Sequence, residues 1–166
     1  MNILELINYK DLTIEVSSIK YNYFHVTDFN NLHFSYGFCK EGWIINDNEK
    51  LSLIPFGETN FISFIKLLEI PYDDLVNNIQ KAIEEEKTDE LYWTDLIPIV
   101  GIIKTSFNIE SVYWSELSLD FLLQAKFYSD ELSVFLNEKA ITKWGSQKLK
   151  HKIKTYFSRS EKSSNE

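Results

Sequence analysis

The hydrophobic period changes once along this chain, at Gly57, and that change constrains the fold more than any other feature of the sequence. From Leu12 to Phe56, apolar and polar residues alternate by twos among β-branched and aromatic side chains, as they do in strands with one buried face. After Gly57 the apolar spacing lengthens to threes and fours, the repeat of amphipathic helices. A block of strands followed by a block of helices predicts an α+β protein. The expected architecture is an N-terminal antiparallel β region (about 12–56) packed on a C-terminal bundle of five to six helices (about 58–157).

Within the β region, Leu32, Phe34, Tyr36 and Phe38 are expected to share the inward face, with His33, Ser35, Gly37 and Cys39 on the other. Trp43-Ile44-Ile45 and Leu51-Ser52-Leu53-Ile54 flank Asn46-Asp47-Asn48-Glu49, which reads as a hairpin with a four-residue loop. Beyond Gly57, Thr59 or Asn60 is placed to cap a helix carrying Phe61, Phe64, Ile65 and Leu68, which must end before Pro71. A second helix starts there. Asp73 and Asp74 complement the positive end of its dipole, and Leu75, Val76, Ile79, Ala82 and Ile83 form its apolar stripe. Residues 91–107 read as a third, centrally buried helix kinked at Pro98, and 112–126 as a fourth. A short fifth helix begins at a Ser129 cap and closes near Asn137, and a lysine-rich sixth covers about 140–157. One domain over 1–157 is expected, with 158–166 as a flexible polar tail.

Composition narrows the class. Apolar residues make up 44% and aromatics 15%, too many for a disordered chain over 1–157. The single cysteine, Cys39, rules out an internal disulfide and a thiolate zinc cluster and fits a reducing compartment. The run Ile3–Ile7 is short, interrupted by Glu5 and preceded by no basic residue, and Ile97–Ile103 falls far short of the roughly 20 residues of a membrane-spanning helix. A cytoplasmic location is expected on these grounds.

Charge is sorted by position. Residues 139–166 hold eight basic side chains against Glu161 and Glu166, so the overall net charge of −8 leaves −14 on the residues before them. Such a body repels nucleic acid and attracts cationic protein surfaces. The lysine helix is the one element suited to a phosphate backbone, through Lys148, Lys152 and Lys143 or Lys150. The charge on the rest of the chain disfavours that partner. A soluble helix face, or a helix docked beside the acidic body, is the preferred reading of those lysines.

Motifs for chemistry are absent. The chain lacks a Gly-x-Ser-x-Gly elbow, a P-loop and a dinucleotide glycine pattern. A zinc site would need His25, His33 and a carboxylate such as Asp28 to converge, whereas histidines hydrogen-bonded within a sheet need no metal. Cys39 lies among apolar neighbours and reads as a structural thiol. Acidic pairs such as Asp73-Asp74 sit where they complement helix dipoles or face solvent. No catalytic residue, metal or cofactor is therefore expected.

A binding role remains, and the acidic residues between 73 and 95 form its candidate contact set: Asp73, Asp74, Glu84, Glu85, Glu86, Asp89, Glu90 and Asp95. Tyr92 and Trp93 stand among them as candidate anchors, since interfaces commonly centre on Tyr and Trp with charge at the rim. Simple burial of both rings is an equally good reading. The segments Tyr92-Trp93-Thr94-Asp95-Leu96-Ile97-Pro98-Ile99-Val100 and Lys143-Trp144-Gly145-Ser146-Gln147-Lys148-Leu149-Lys150-His151-Lys152, with the size, the acidity and the lack of catalytic motifs, resemble the immunity proteins that bacteria make against their own polymorphic or contact-dependent growth inhibition toxins. The resemblance is one of type and carries no functional residue across. It implies a protein that binds a cognate cationic toxin domain, often a nuclease, and covers its active site. Two other classes stay open: a small enzyme with a site at the sheet–helix junction built from His25, Asp28 and His33, and a structural or adaptor helical protein.

Overall fold

The computed structural model describes residues 13–85, 94, 96–141 and 145–163, the side chains of 82, 83, 85 and 161–163 excepted. Its class is α+β, with antiparallel strands first and helices after them. The chain divides into two compact units whose sequences interleave: residues through Thr59 with Asp73–Pro98, and Asn60–Tyr72 with the helices from Ile99 onward.

The first unit contains a two-stranded hairpin, β1 (Thr13–Val16) and β2 (Ile19–Asn22), and a four-stranded meander. The meander runs β3 (Phe24–Phe29), β4 (Phe34–Phe38), β5 (Gly42–Asp47) and β6 (Lys50–Pro55), each antiparallel to the next. Cross-strand partners share a face, so register defines two surfaces. Phe24, Phe38, Trp43 and Ile54 form one row of the inner face, and Tyr36 pairs with Ile45 in the next. All six are buried. Phe24 stacks on Phe38 at 4.8 Å between ring centroids, and Trp43 meets Phe38 edge-on at 5.8 Å, geometries that favour aromatic pairs beyond the area they bury.

The predicted inward set holds for Phe34, Tyr36 and Phe38 but not for Leu32. Leu32 ends a 3₁₀ turn, Asn30–Leu32, and His33 follows with φ of 47°, so the alternation begins only at Phe34. Cys39, expected opposite the inner face, is buried all the same. The outer face carries its own small cluster of Val16, Tyr23, Cys39 and Ile44, with Ile14, Tyr21, Leu51 and Leu53 packed against it. The loop of the last hairpin is tighter than expected. Asp47 pairs with Lys50, leaving only Asn48 and Glu49 in the turn, with φ of 51° and 65°. Positive φ at both central residues matches the twist of the flanking strands, and Ser17 and Ser18 turn the first hairpin in the same way.

Helix α1 (Tyr72–Glu85) buries Leu75, Val76 and Ile79 of the predicted stripe, and the side chains of Ala82 and Ile83 lie outside those described.

In the second unit the segment expected as an α-helix before Pro71 is a 3₁₀ helix, Ile62–Glu69. Three residues per turn stack i and i+3, and Phe61, Phe64, Leu67 and Ile70 are spaced by threes and all buried. Asn60 Oδ1 accepts the Ile62 N–H at 3.0 Å, and Ile70 is extended, as a residue before proline must be. Helix α2 (Ile99–Asn108) begins after Pro98, so that proline precedes the helix rather than kinking it. An interior proline removes a backbone donor and clashes with the preceding turn, which makes a helix start the less strained solution. Helices α3 (Val112–Ala125) and α4 (Asp130–Ala140) start at the Ser111 and Ser129 caps, and α4 continues past Asn137 to Ala140. Helix α5 (Gln147–Ser163) starts later and ends later than the sequence pattern suggested. Ser146 Oγ accepts the Leu149 N–H at 3.0 Å. At the other end, the Ser158 and Ser160 hydroxyls donate back to the Lys154 and Phe157 carbonyls, within the region expected as tail. Leu149, Ile153 and Tyr156 are its buried edge, while Ile141, assigned to this helix from its spacing, is exposed.

Candidate functional site

Among the described residues, helix α1 and the sheet each carry groups able to engage a ligand. On α1 the exposed residues Asp73, Asn77, Lys81 and Glu84 recur at helical spacing, with Asp74 beside them. Asp73 and Asp74 occupy the first turn, where carboxylates are favoured by the helix dipole. No ion pair joins Asp73, Asp74 or Glu84 to another described residue. Lys81 interrupts the stripe, which sequence spacing alone did not weigh. Of the other candidate contacts, the Glu85 side chain, Glu86, Asp89, Glu90, Tyr92, Trp93 and Asp95 lie outside the described residues.

The lysine helix is engaged within its own unit. Lys148 Nζ bonds Glu116 Oε2 at 2.5 Å, and Lys152 Nζ bonds Asp120 Oδ2 at 2.6 Å while standing 4.0 Å from Glu116. The Lys148 ammonium holds the Glu116 carboxyl below the usual carboxylate range. Ser146 also donates to Glu116, at 3.3 Å, so α3 and α5 are tied along one edge by a polar network. These contacts match the docked-helix reading of the lysines.

On the sheet, register sorts the outer face into an apolar half and a polar half. The apolar half is the Val16–Tyr23–Cys39–Ile44 cluster, where burial pushes the Cys39 thiol up. That suits a structural thiol. The polar half begins with His25, which pairs with Gly37, and continues with the row Asp28, Ser35, Asn46. A register irregularity between His25 and Thr27 brings His25 beside Asp28 on the same strand, and bulges re-aim side chains in this manner. His25 Nε2 donates to Asp28 Oδ2 at 3.1 Å, and the Tyr23 hydroxyl donates to His25 Nδ1 at 3.3 Å. With the ring proton on Nε2, both contacts are satisfied at once. Tyr23 lies across Gly37, whose lack of a side chain makes room for the ring. Burial, followed by the nearby Asp28 charge, pushes the Tyr23 phenol well above its ordinary range.

Asp28 also belongs to a cavity of about 180 Å³, walled by Asn30, His33, Ser35, Asn46 and Glu49 as well. Asn46 Oδ1 is buried and accepts no hydrogen bond from another described residue. The expected trio is thus brought together only in part. His25 bonds Asp28, and His33 shares the cavity with Asp28, but no hydrogen bond or ion pair joins the two imidazoles among the described residues. No group of three or more His, Cys, Asp or Glu among the described residues is arranged to hold a metal ion.

Sequence reasoning missed Tyr23, Ser35, Asn46 and Glu49. The alternation of β4 placed Ser35 on the polar face, but only strand register aligns it with Asp28 and Asn46.

A second hollow, of about 230 Å³, lies between the 3₁₀ helix and α3, lined by Leu68, Ile70, Tyr72 and Phe121 with Glu69 and Asp120 at its edge. Both carboxylates already have partners. Glu69 accepts from the Tyr113 hydroxyl at 2.8 Å, and Asp120 is held by Lys152.

No helix among the described residues is long and apolar enough to cross a membrane. Comparison with protein-family models, with curated proteins and with solved structures found no match.

Proposed function

We propose that this chain is an acidic protein-binding domain acting as an immunity protein: it binds a cognate cationic toxin domain, such as a nuclease, in the cytoplasm and covers its active site. The observation that carries this reading is the way charge is disposed. Lys148 and Lys152 of the basic helix are engaged by Glu116 and Asp120, whereas Asp73, Asp74 and Glu84 stand exposed on α1 without an ion-pair partner among the described residues. Unpaired surface carboxylates imitate phosphates to a phosphate-binding surface and raise association rates with basic partners. Glu85, Glu86, Asp89, Glu90 and Asp95 extend the acidic run in sequence, with Tyr92 and Trp93 as anchors. Nucleic acid is disfavoured as a partner by the same field.

The test is genetic and biochemical. A neighbouring reading frame encoding a secreted protein with a basic C-terminal domain is cloned, and that domain is expressed with and without this chain. Rescue of growth and co-purification as a stoichiometric complex support the reading. Growth arrest unaffected by this chain, with no complex formed, removes it.

A further inference from the structure

We infer that the polar cavity on the outer face of the sheet is a guanidinium site, filled by an arginine side chain of the partner. The identity of that source rests on the reading above, whereas the site itself rests on geometry. The cavity is lined from neighbouring strands and turns by two carboxylate residues, Asp28 and Glu49, by Ser35, and by the amide residues Asn30 and Asn46, with His33 beside them. Asp28, Ser35 and Asn46 are aligned by register on three adjacent strands, and the Asp28 carboxylate is fixed by the His25 bond to Oδ2, leaving Oδ1 for a ligand. Asn46 Oδ1 is buried and has no hydrogen-bond donor among the described residues.

The chemistry selects the ligand. Two carboxylates exclude an anion, and no three metal-ligating side chains among the described residues converge on a cation. A volume of about 180 Å³ is below the roughly 300–1,000 Å³ of cofactor and drug-sized pockets, and it suits one side-chain head. Guanidinium presents five N–H donors in a planar fork and is weakly hydrated, so it matches several spread acceptors better than a compact ammonium with three donors.

The experiment is an NMR titration of the full chain with agmatine, with n-butylamine, urea and Zn²⁺ as separate arms, on wild type and on Asp28→Asn and Asn46→Ala. Saturable agmatine shifts centred on the Asn46 side-chain amide and the Ser35 backbone amide are expected, with butylamine weaker and urea without effect. Asp28→Asn should weaken agmatine binding roughly tenfold, the loss of one charge-assisted contact, while its amide spectrum stays folded elsewhere. A response to agmatine no greater than to urea overturns the site, as does an Asp28→Asn variant binding like wild type, or tighter binding of Zn²⁺ at the same residues. An acetyl-arginine-amide arm separates the sources: binding comparable to agmatine supports a protein-borne arginine, and exclusion of the capped residue overturns it. If agmatine fails while a toxin domain still co-purifies, the cavity assignment falls and the immunity reading stands. If agmatine binds but no basic protein partner exists, the reverse holds.

Discussion

Gly37→Ala separates two explanations for the polar half of the sheet, one in which its geometry is built by close strand packing and one in which it is incidental. A methyl group on Gly37 would overlap the Phe24 carbonyl oxygen and stand 2.5 Å from Tyr23 Cε2. The first obstacle is backbone, which cannot rotate away, so β3 must shift from β4 or the Tyr23 ring must leave. Overpacking of this kind costs about 1–3 kcal/mol, and a backbone obstacle places the cost at the upper end. The lower unfolded-state entropy of alanine returns about 0.4–1 kcal/mol. A net loss of about 2–2.6 kcal/mol follows, which for a chain of this length lowers Tm by roughly 4–10 °C and leaves a protein of ordinary stability folded. Urea denaturation gives the free energy, and the imidazole signals of His25 report whether the Tyr23 hydroxyl contact survives. Gly57→Ala is the control. Gly57 has φ of 92°, and a methyl group added there meets no atom within 4 Å, so its cost of about 1 kcal/mol comes from backbone conformation alone and His25 should not respond. A Gly37→Ala variant losing less than about 0.5 kcal/mol, or losing stability with the His25 signals unmoved, refutes the argument that Gly37 seats Tyr23.

Two other perturbations test the second unit. Gly101→Ala places a methyl group against the Phe61 ring, which is held by the bond from Phe61 N to Thr105 Oγ1 at 2.9 Å. The gain in helix propensity of about 1 kcal/mol is then outweighed by overpacking, and chemical denaturation should show net destabilisation that reverses in a Phe61→Leu background. Glu116 supplies a pH dependence. Its carboxyl is lowered in the fold, chiefly by the Lys148 hydrogen bond, so its stabilisation is present above the unfolded carboxylate range and is lost as pH falls through the folded value. Denaturation midpoints measured from pH 6 to pH 3 should therefore decline less steeply in Glu116→Gln than in wild type. The effect is modest, because the Lys148 side chain is 68% exposed and solvent screens the pair.

Periodicity made the strand-then-helix order legible, together with the stripe of α1 and the Ser129 cap, because each is encoded locally. Pro98 was misplaced because the surrounding run is apolar on every side, so nothing local distinguishes a kink from a helix start. The 3₁₀ helix was hidden for a related reason: Phe61, Phe64, Ile65 and Leu68 fit a spacing of threes and fours, and with Ile65, Leu67 and Leu68 all buried the apolar pattern does not distinguish three residues per turn from 3.6. The polar cavity depends on register across three strands, with His25 re-aimed by an irregularity that no residue type announces. Asp73, Asp74 and Glu84 were legible as exposed acids because helix position alone fixes their exposure.

The central claim is that exposed carboxylates on α1 draw in a cationic protein, and its most direct measurement is the association rate with the cognate basic domain by stopped-flow fluorescence, as a function of salt. Wild type should associate fast at low ionic strength and slow steeply as salt rises. Asp73→Asn combined with Asp74→Asn and Glu84→Gln should associate several-fold more slowly at low salt with a flatter salt slope, as should neutralisation of Glu84, Glu85 and Glu86 together. Rates and slopes identical to wild type in both variants would contradict the account.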